Sequence, residues 1–234
     1  MKSILLLSIL LLLMSCNGAQ DCSKQSGTKE IKQEAAVTGD GCQSPDPEDP
    51  DTDPTPEPLP HPEGEVPEEA STFEASIKFV NFEVEQEEKV HKAIDIIKKV
   101  IASDEFRTRV INYQYNGNQA YVDNKGLTNE EIYLKLLKGV ETLIPEEDYE
   151  MDLELELYYS SKNTVGYTYP NTVRIWMNTK YFTPYTPTQV AGNIFHEWTH
   201  KLGFDHASTY SIARDSSVPY AVGYLIRDLG KQYE

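Results

Sequence analysis

The chain has 234 residues, 38 of them acidic and 21 basic, for a formal net charge of −17. Residues 1–70 hold 14 of the acids and 4 of the bases, so the remainder, with 24 acids and 17 bases, is only mildly acidic. No basic patch stands out, which argues against a nucleic-acid partner, and no cysteine follows Cys42, which excludes a thiolate metal site beyond it.

In chain order, residues 1–15 carry one Lys and then a nearly unbroken apolar run. It is too short to span a bilayer as a mature helix and fits the apolar core of a signal peptide. Leu13-Met14-Ser15-Cys16 resembles a bacterial lipobox, which implies cleavage before Cys16 and lipidation of its thiol. Several acyl chains on one residue give a stable membrane anchor. Asn17 is not the Asp that favours retention at an inner membrane, so the expected place is the cell envelope, at the outer membrane or cell surface. Residues 16–71 read as a linker. From residue 43 onward it alternates proline and acid without a Lys or Arg, and it buries too little to offset chain entropy. Cys22 and Cys42 lie in it and could pair in an oxidising compartment.

Residues 72–234 are long enough to bury a core of their own. Ala75–Glu83 reads as a strand. Glu85–Ser103, with Val90, Ile94, Ile97 and Ile101 at three- and four-residue steps, reads as an amphipathic helix. Arg109–Tyr115 and Ala120–Val122 around Asn116-Gly117 read as a hairpin. Thr128 and Glu131 form a capping box that opens a helix to about Leu143, before Pro145. Met151–Tyr159 alternates Leu153, Leu155 and Leu157 with acids, a strand with one buried face. Val165–Tyr169 and Val173–Asn178 flank Pro170-Asn171 as a second hairpin. Thr186-Pro187-Thr188-Gln189 is another capping box, with Pro at its favoured first helical position, and the segment after the helix it opens reads as short and irregular. The order predicts an α+β fold, a twisted mixed sheet with backing helices.

That last helix carries the chemistry. Residues 196–206 read His-Glu-Trp-Thr-His-Lys-Leu-Gly-Phe-Asp-His, which is HExxHxxGxxH. His196 and His200, four apart, share one helix face, where two imidazoles can hold one tetrahedral zinc. Gly203 can end the helix in a left-handed conformation, so that the chain turns back and brings His206 as a third ligand. Three protein ligands leave a fourth position open, the mark of a catalytic site. Glu197 is not needed as a ligand and can act as general base on the metal-bound water.

The window resembles the metzincin metallopeptidases. The resemblance implies Zn2+ on His196, His200 and His206, Glu197 as base, and an active-site helix in a zincin-like domain spanning residues 72–234. Metzincins place a methionine beneath the metal after the third His. Here Ser217-Val218-Pro219-Tyr220-Ala221 takes that place with Pro219, and no Met follows Met177. A rigid Pro turn could also floor the site, and Tyr220 could donate its hydroxyl to the metal or the oxyanion. Gly166, Tyr167 and Thr168 look like the edge strand above the metzincin cleft, where an extended peptide pairs with free backbone groups. The expected protein is a monomeric, membrane-anchored zinc endopeptidase acting on a peptide or protein substrate. Three other readings stay open: a zinc-containing binding or regulatory module with little turnover, a processing factor of narrow specificity, and a zinc hydrolase of a non-peptide bond. The intact Glu197 speaks against the first.

Overall fold

Apolar residues at every second position from Met151 to Leu157 are buried while the acids between them face outward, as a strand with one covered face requires. Around this strand the computed structural model describes Ala70 and residues 72–234. The chain runs β1 (Glu74–Val80), α1 (Val84–Ile101), α2 (Asp104–Ile111), α3 (Asn129–Lys138), β2 (Glu150–Tyr158), β3 (Gly166–Thr168), β4 (Arg174–Asn178), α4 (Thr179–Phe182), α5 (Pro187–Lys201), α6 (Ile212–Asp215) and α7 (Val218–Gly230), then a short 3-10 turn. The expected signal peptide, Cys16, Cys22, Cys42 and nearly all of the linker lie outside the described residues.

The four strands form one mixed sheet in the order β1-β2-β4-β3. β1 and β4 both pair with β2 in parallel, and β3 pairs antiparallel with β4 as the edge. The fold class is α+β, as expected. The inner face of the sheet, with Met151, Leu155 and Ile175, joins one core with the apolar stripe of α1, with Phe195 and Trp198 of α5, and with Val218, Val222 and Ile226 of α7. Ala70 and Phe73 are also buried there. On the outer face Arg174 bridges Glu154 and Glu156, and Lys78 meets Glu154 at 3.2 Å.

Several expected elements differ. β1 stops at Val80 because Asn81 takes a left-handed φ of 62°; Phe82 then folds back against Phe79, ring centroids 5.0 Å apart. Residues 109–122 are not a hairpin. Ser103 caps a helix there, its hydroxyl accepting from the Phe106 N–H at 3.2 Å, and α2 takes Arg109 to Ile111. Asn116-Gly117 does turn tightly, with φ of 51° and 76°, but only the bridge Tyr115–Asn118 forms across it. Val122 instead donates its N–H to the Ser216 carbonyl at 3.0 Å, holding the loop against the start of α7. α3 opens on the expected capping box but ends at Lys138, with Gly139 in the left-handed conformation. The largest departure is α7, thirteen residues of helix where an irregular segment was expected. Ser217 at its N-cap and Pro219 in its first turn are start signals, and Val218, Val222, Ile226 and Leu229 repeat at helical spacing.

Candidate metal centre

Helix α5 begins as its sequence requires. The Thr186 hydroxyl accepts from the Gln189 N–H, and the Gln189 amide oxygen accepts from the Thr186 N–H at 3.0 Å. Helical spacing then stacks His196 and His200, ring centroids 5.2 Å apart. The helix closes on Gly203, whose φ of +89° is costly for any side-chain-bearing residue. Its N–H reaches the His200 carbonyl at 3.1 Å, and Phe204 N–H reaches the Thr199 carbonyl at 3.2 Å. The reversed chain delivers the His206 ring to 5.1 Å from His196 and 4.9 Å from His200.

Each imidazole has a backbone carbonyl against it. His200 Nδ1 lies 2.7 Å from the Phe204 oxygen and His206 Nδ1 lies 3.0 Å from the Ala207 oxygen. The Pro219 backbone also acts on the His196 ring, favouring its protonated form. A carbonyl only accepts, so these rings carry their proton toward it and expose a lone pair on Nε2. His196 Nε2 and His206 Nε2 approach to 3.2 Å. Two lone pairs at that distance repel unless a cation lies between them. A tetrahedral ion with bonds of ~2.0 Å needs nitrogens about 3.3 Å apart. One nitrogen from each of the three rings falls within 4.8 Å of the others, so the set fits a metal ion. Burial and the neighbouring imidazoles hold His196 down to about 3, and burial lowers His200 as well. Burial thus favours the neutral form of both, the form a ligand needs.

Glu197 is on the same helix but faces the sheet. It is 5% exposed, and burial pushes its carboxyl up to about 8 against the pull of Lys201. Gly166 of the edge strand β3 passes it closely. A Cβ there would stand 3.1 Å from Glu197 Oε1 and from Asn193 Oδ1, so any larger residue would force these side chains to give by a few tenths of an ångström. Tyr167 stacks on Trp176 at 5.1 Å and Thr168 donates its hydroxyl to the Arg174 carbonyl at 2.6 Å, which fixes the strand from its outer side.

Tyr220 comes to the imidazoles from α7. Its ring lies 4.5 Å from His196 and 4.6 Å from His206, with the Arg214 guanidinium 4.4 Å from its centroid. Pro219 does not form an isolated turn; it sits in the first turn of α7. α7 reaches this position because it crosses α5 at two glycines. A Cβ on Gly192 would meet the Gly223 carbonyl at 2.8 Å, and one on Gly223 would meet His196 Cβ at 3.0 Å. Together with the edge strand, these helices enclose a cleft of about 720 Å3, lined by Val165, Tyr167, His196, Glu197, Tyr220 and Arg227 among others. All the expected site residues after the linker are therefore neighbours.

Sequence reasoning passed over three residues that shape the site. Lys201 is buried, and its ammonium donates to the Tyr169 carbonyl at 3.1 Å and to the Thr172 carbonyl, clamping the β3–β4 turn to the end of α5. Burial lowers it to about 8. Its spacing four residues after Glu197 was the available signal. Asn178 is buried and holds the loop before β3 through its amide donors to the Ser160 and Thr164 carbonyls, at 3.0 and 2.9 Å. Glu141, 1% exposed, accepts from the Trp198 indole N–H at 2.6 Å and from the Asp152 N–H at 3.2 Å, tying the back of α5 to β2. No family model, curated protein or solved structure matches the chain.

Proposed function

We propose that the protein is a zinc-dependent endopeptidase of the metzincin type, tethered to the cell envelope through Cys16. The observation that carries this reading is the convergence of three imidazoles, each with a backbone carbonyl against it, beside a buried carboxyl under an edge strand. His196, His200 and His206 would hold the ion. Bound zinc would polarise the scissile carbonyl and lower the pKa of water toward ~7.

The chain's own residues supply the rest. An extended peptide lies along Gly166–Thr168, pairing with the free backbone edge of β3. Glu197 takes a proton from the attacking water and returns it to the leaving amine. Its carboxyl, raised by burial to about 8, suits a base that must next act as an acid near neutral pH. Tyr220 stands against the ligand rings and is the candidate hydroxyl donor to the developing oxyanion. The Pro219 carbonyl orients His196, a role that needs no methionine. None of the described helices is long and apolar enough to cross a membrane.

Mass-spectrometric profiling of peptide-library cleavage by the purified protein, with and without chelator, decides the reading. Cleavage that stops with chelator and in Glu197→Ala supports it; identical profiles in all three samples reject it. Membrane fractionation of Cys16→Ser decides the anchor: unchanged attachment would exclude lipidation at that residue.

A further inference from the structure

The cleft has two ends, and the elements that line it fix which is which. Gly166 lies against Asn193 and Glu197, while Lys201 holds the Tyr169 and Thr172 carbonyls. The edge strand therefore runs in the same direction as α5. α7 runs the opposite way, since Gly223 lies at His196, Arg227 Cβ lies 3.0 Å from the Cβ position of Gly192, and Gly230 lies at Thr188. On α7, Tyr220, Tyr224 and Arg227 fall at helical spacing along one stripe, and all three line the cleft. The stripe leads from the imidazoles toward Gln189 and Asn193 and ends at Arg227.

Two cationic side chains line this cleft, Arg214 and Arg227. Arg214 is paired with Asp215 at 3.0 Å. Arg227 has no ion pair among the described residues, in a protein with far more acids than bases. The acid beside it, Asp228, is already taken by Arg109 and Lys231, each at 3.1 Å. The Arg227 guanidinium stands 5.0 Å over the Tyr224 ring, and its charge is felt by the phenols of Tyr224 and Tyr185. A guanidinium over a phenol ring in an open cleft offers several donors to a planar anion and repels a cation.

Seven residues of helix separate Tyr220 from Arg227, about 10 Å at ~1.5 Å per residue. An extended peptide covers that in roughly three residues at ~3.3 Å each. Pairing antiparallel to β3, the more stable arrangement, puts the C-terminal part of the peptide at the Arg227 end. We propose that Arg227, standing over the Tyr224 ring in the cleft that Tyr185 also lines, is a carboxylate-binding subsite for the third residue on the C-terminal side of the scissile bond. The carboxylate is either an acidic side chain or the terminal carboxylate of the substrate. The proposal rests on the peptidase reading for its register, though not for the existence of an anion site.

Four peptides separate the sources. One ends in a free carboxylate at the third position and one is its amide. The other two are longer amidated peptides with Glu or Gln at that position. Affinity is read by fluorescence anisotropy on zinc-loaded Glu197→Ala protein, which consumes no peptide, with and without Arg227→Gln; kcat/KM is read on the otherwise native protein. Charge-assisted hydrogen bonds of about 1.5–3 kcal/mol correspond to roughly 10- to 100-fold. The acidic peptides should bind that much more tightly than their neutral partners, and Arg227→Gln should erase the difference. Arg227→Glu should favour Lys at the same position. Preference for the free terminus alone, or for internal Glu alone, assigns the source. A charge preference in binding without turnover of any peptide would keep the subsite and reject the peptidase. Turnover with no charge preference, or a preference that survives Arg227→Gln, would overturn the subsite. Absence of both binding and turnover would overturn both.

Discussion

Helices α5 and α7 line the same cleft by different means. α5 carries its functional residues in one helical register: His196 and His200 share a face, Glu197 turns to the sheet, and Gly203 returns the chain for His206. α7 carries no motif. Its contribution, the Pro219 carbonyl, Tyr220 and Arg227, exists only because Gly192 and Gly223 let the two backbones approach until a Cβ would collide. Chemistry on α5 is set by local spacing, and chemistry on α7 is set by packing. A change in α5 should therefore act at one atom, while a change at the crossing should act on everything α7 brings.

The largest expected effect is at α5. Glu197→Ala should retain metal, since a base is not a ligand, and lose turnover by roughly 10²–10⁴-fold. His200→Ala should instead lose the metal itself. Elemental analysis beside kinetics distinguishes these, and full metal occupancy in His200→Ala would remove that residue from the ligand set.

Tyr220→Phe asks whether α7 contributes chemistry or only a wall. The ring and its packing against His196 and His206 are kept, so metal content and melting temperature should be unchanged. Turnover should fall by roughly 10- to 1000-fold, the range for loss of one transition-state donor. A kcat within twofold of the native protein would reduce Tyr220 to a packing residue.

Gly223→Ala attacks the crossing. The added methyl meets the Gly192 carbonyl and His196 Cβ, both at 3.0 Å, and one belongs to rigid backbone. Overpacking of this kind costs about 1–3 kcal/mol. Because the strain falls on His196, zinc affinity should drop along with stability in denaturant titrations. A loss of stability with unchanged zinc affinity would mean that α7 does not set the His196 position.

These contrasts explain what could be read from the sequence. Helix α5 with its histidine pair, its capping box and β2 were legible because the information is local: spacing of four, a Thr-x-x-Gln start and strict alternation. Residues 109–122 misled because Asn116-Gly117 is a true turn signal, yet the apolar residues before it were claimed by α2 packing on the core. α7 was legible in principle, through Ser217, Pro219 and the stripe Val218, Val222, Ile226, but the segment was weighed as a floor beneath the metal and not as a helix. Arg227 was out of reach because its place follows from a helix crossing, and no pattern along the chain reports that two distant glycines will meet.

The smallest effect lies on the back of α5, where Trp198 is anchored by Glu141. Burial raises the Glu141 carboxyl to about 7, only partly opposed by its bonds from the Trp198 indole and the Asp152 N–H. The folded state thus keeps a proton that the unfolded chain releases above its usual value of 4.5. Stability contributed by this group is full below about pH 4.5, falls as pH rises toward 7, and is level beyond. Glu141→Gln cannot titrate, and its amide oxygen can still accept from Trp198. Other groups change with pH in both proteins, so the difference between their melting temperatures isolates this one. That difference should move in favour of the variant by a few degrees between pH 5 and 8, since ~1 kcal/mol shifts a domain of this size by roughly 2–4 °C. Parallel melting curves across that window would mean that Glu141 is ionised in the fold, and that the indole and backbone donors outweigh its burial.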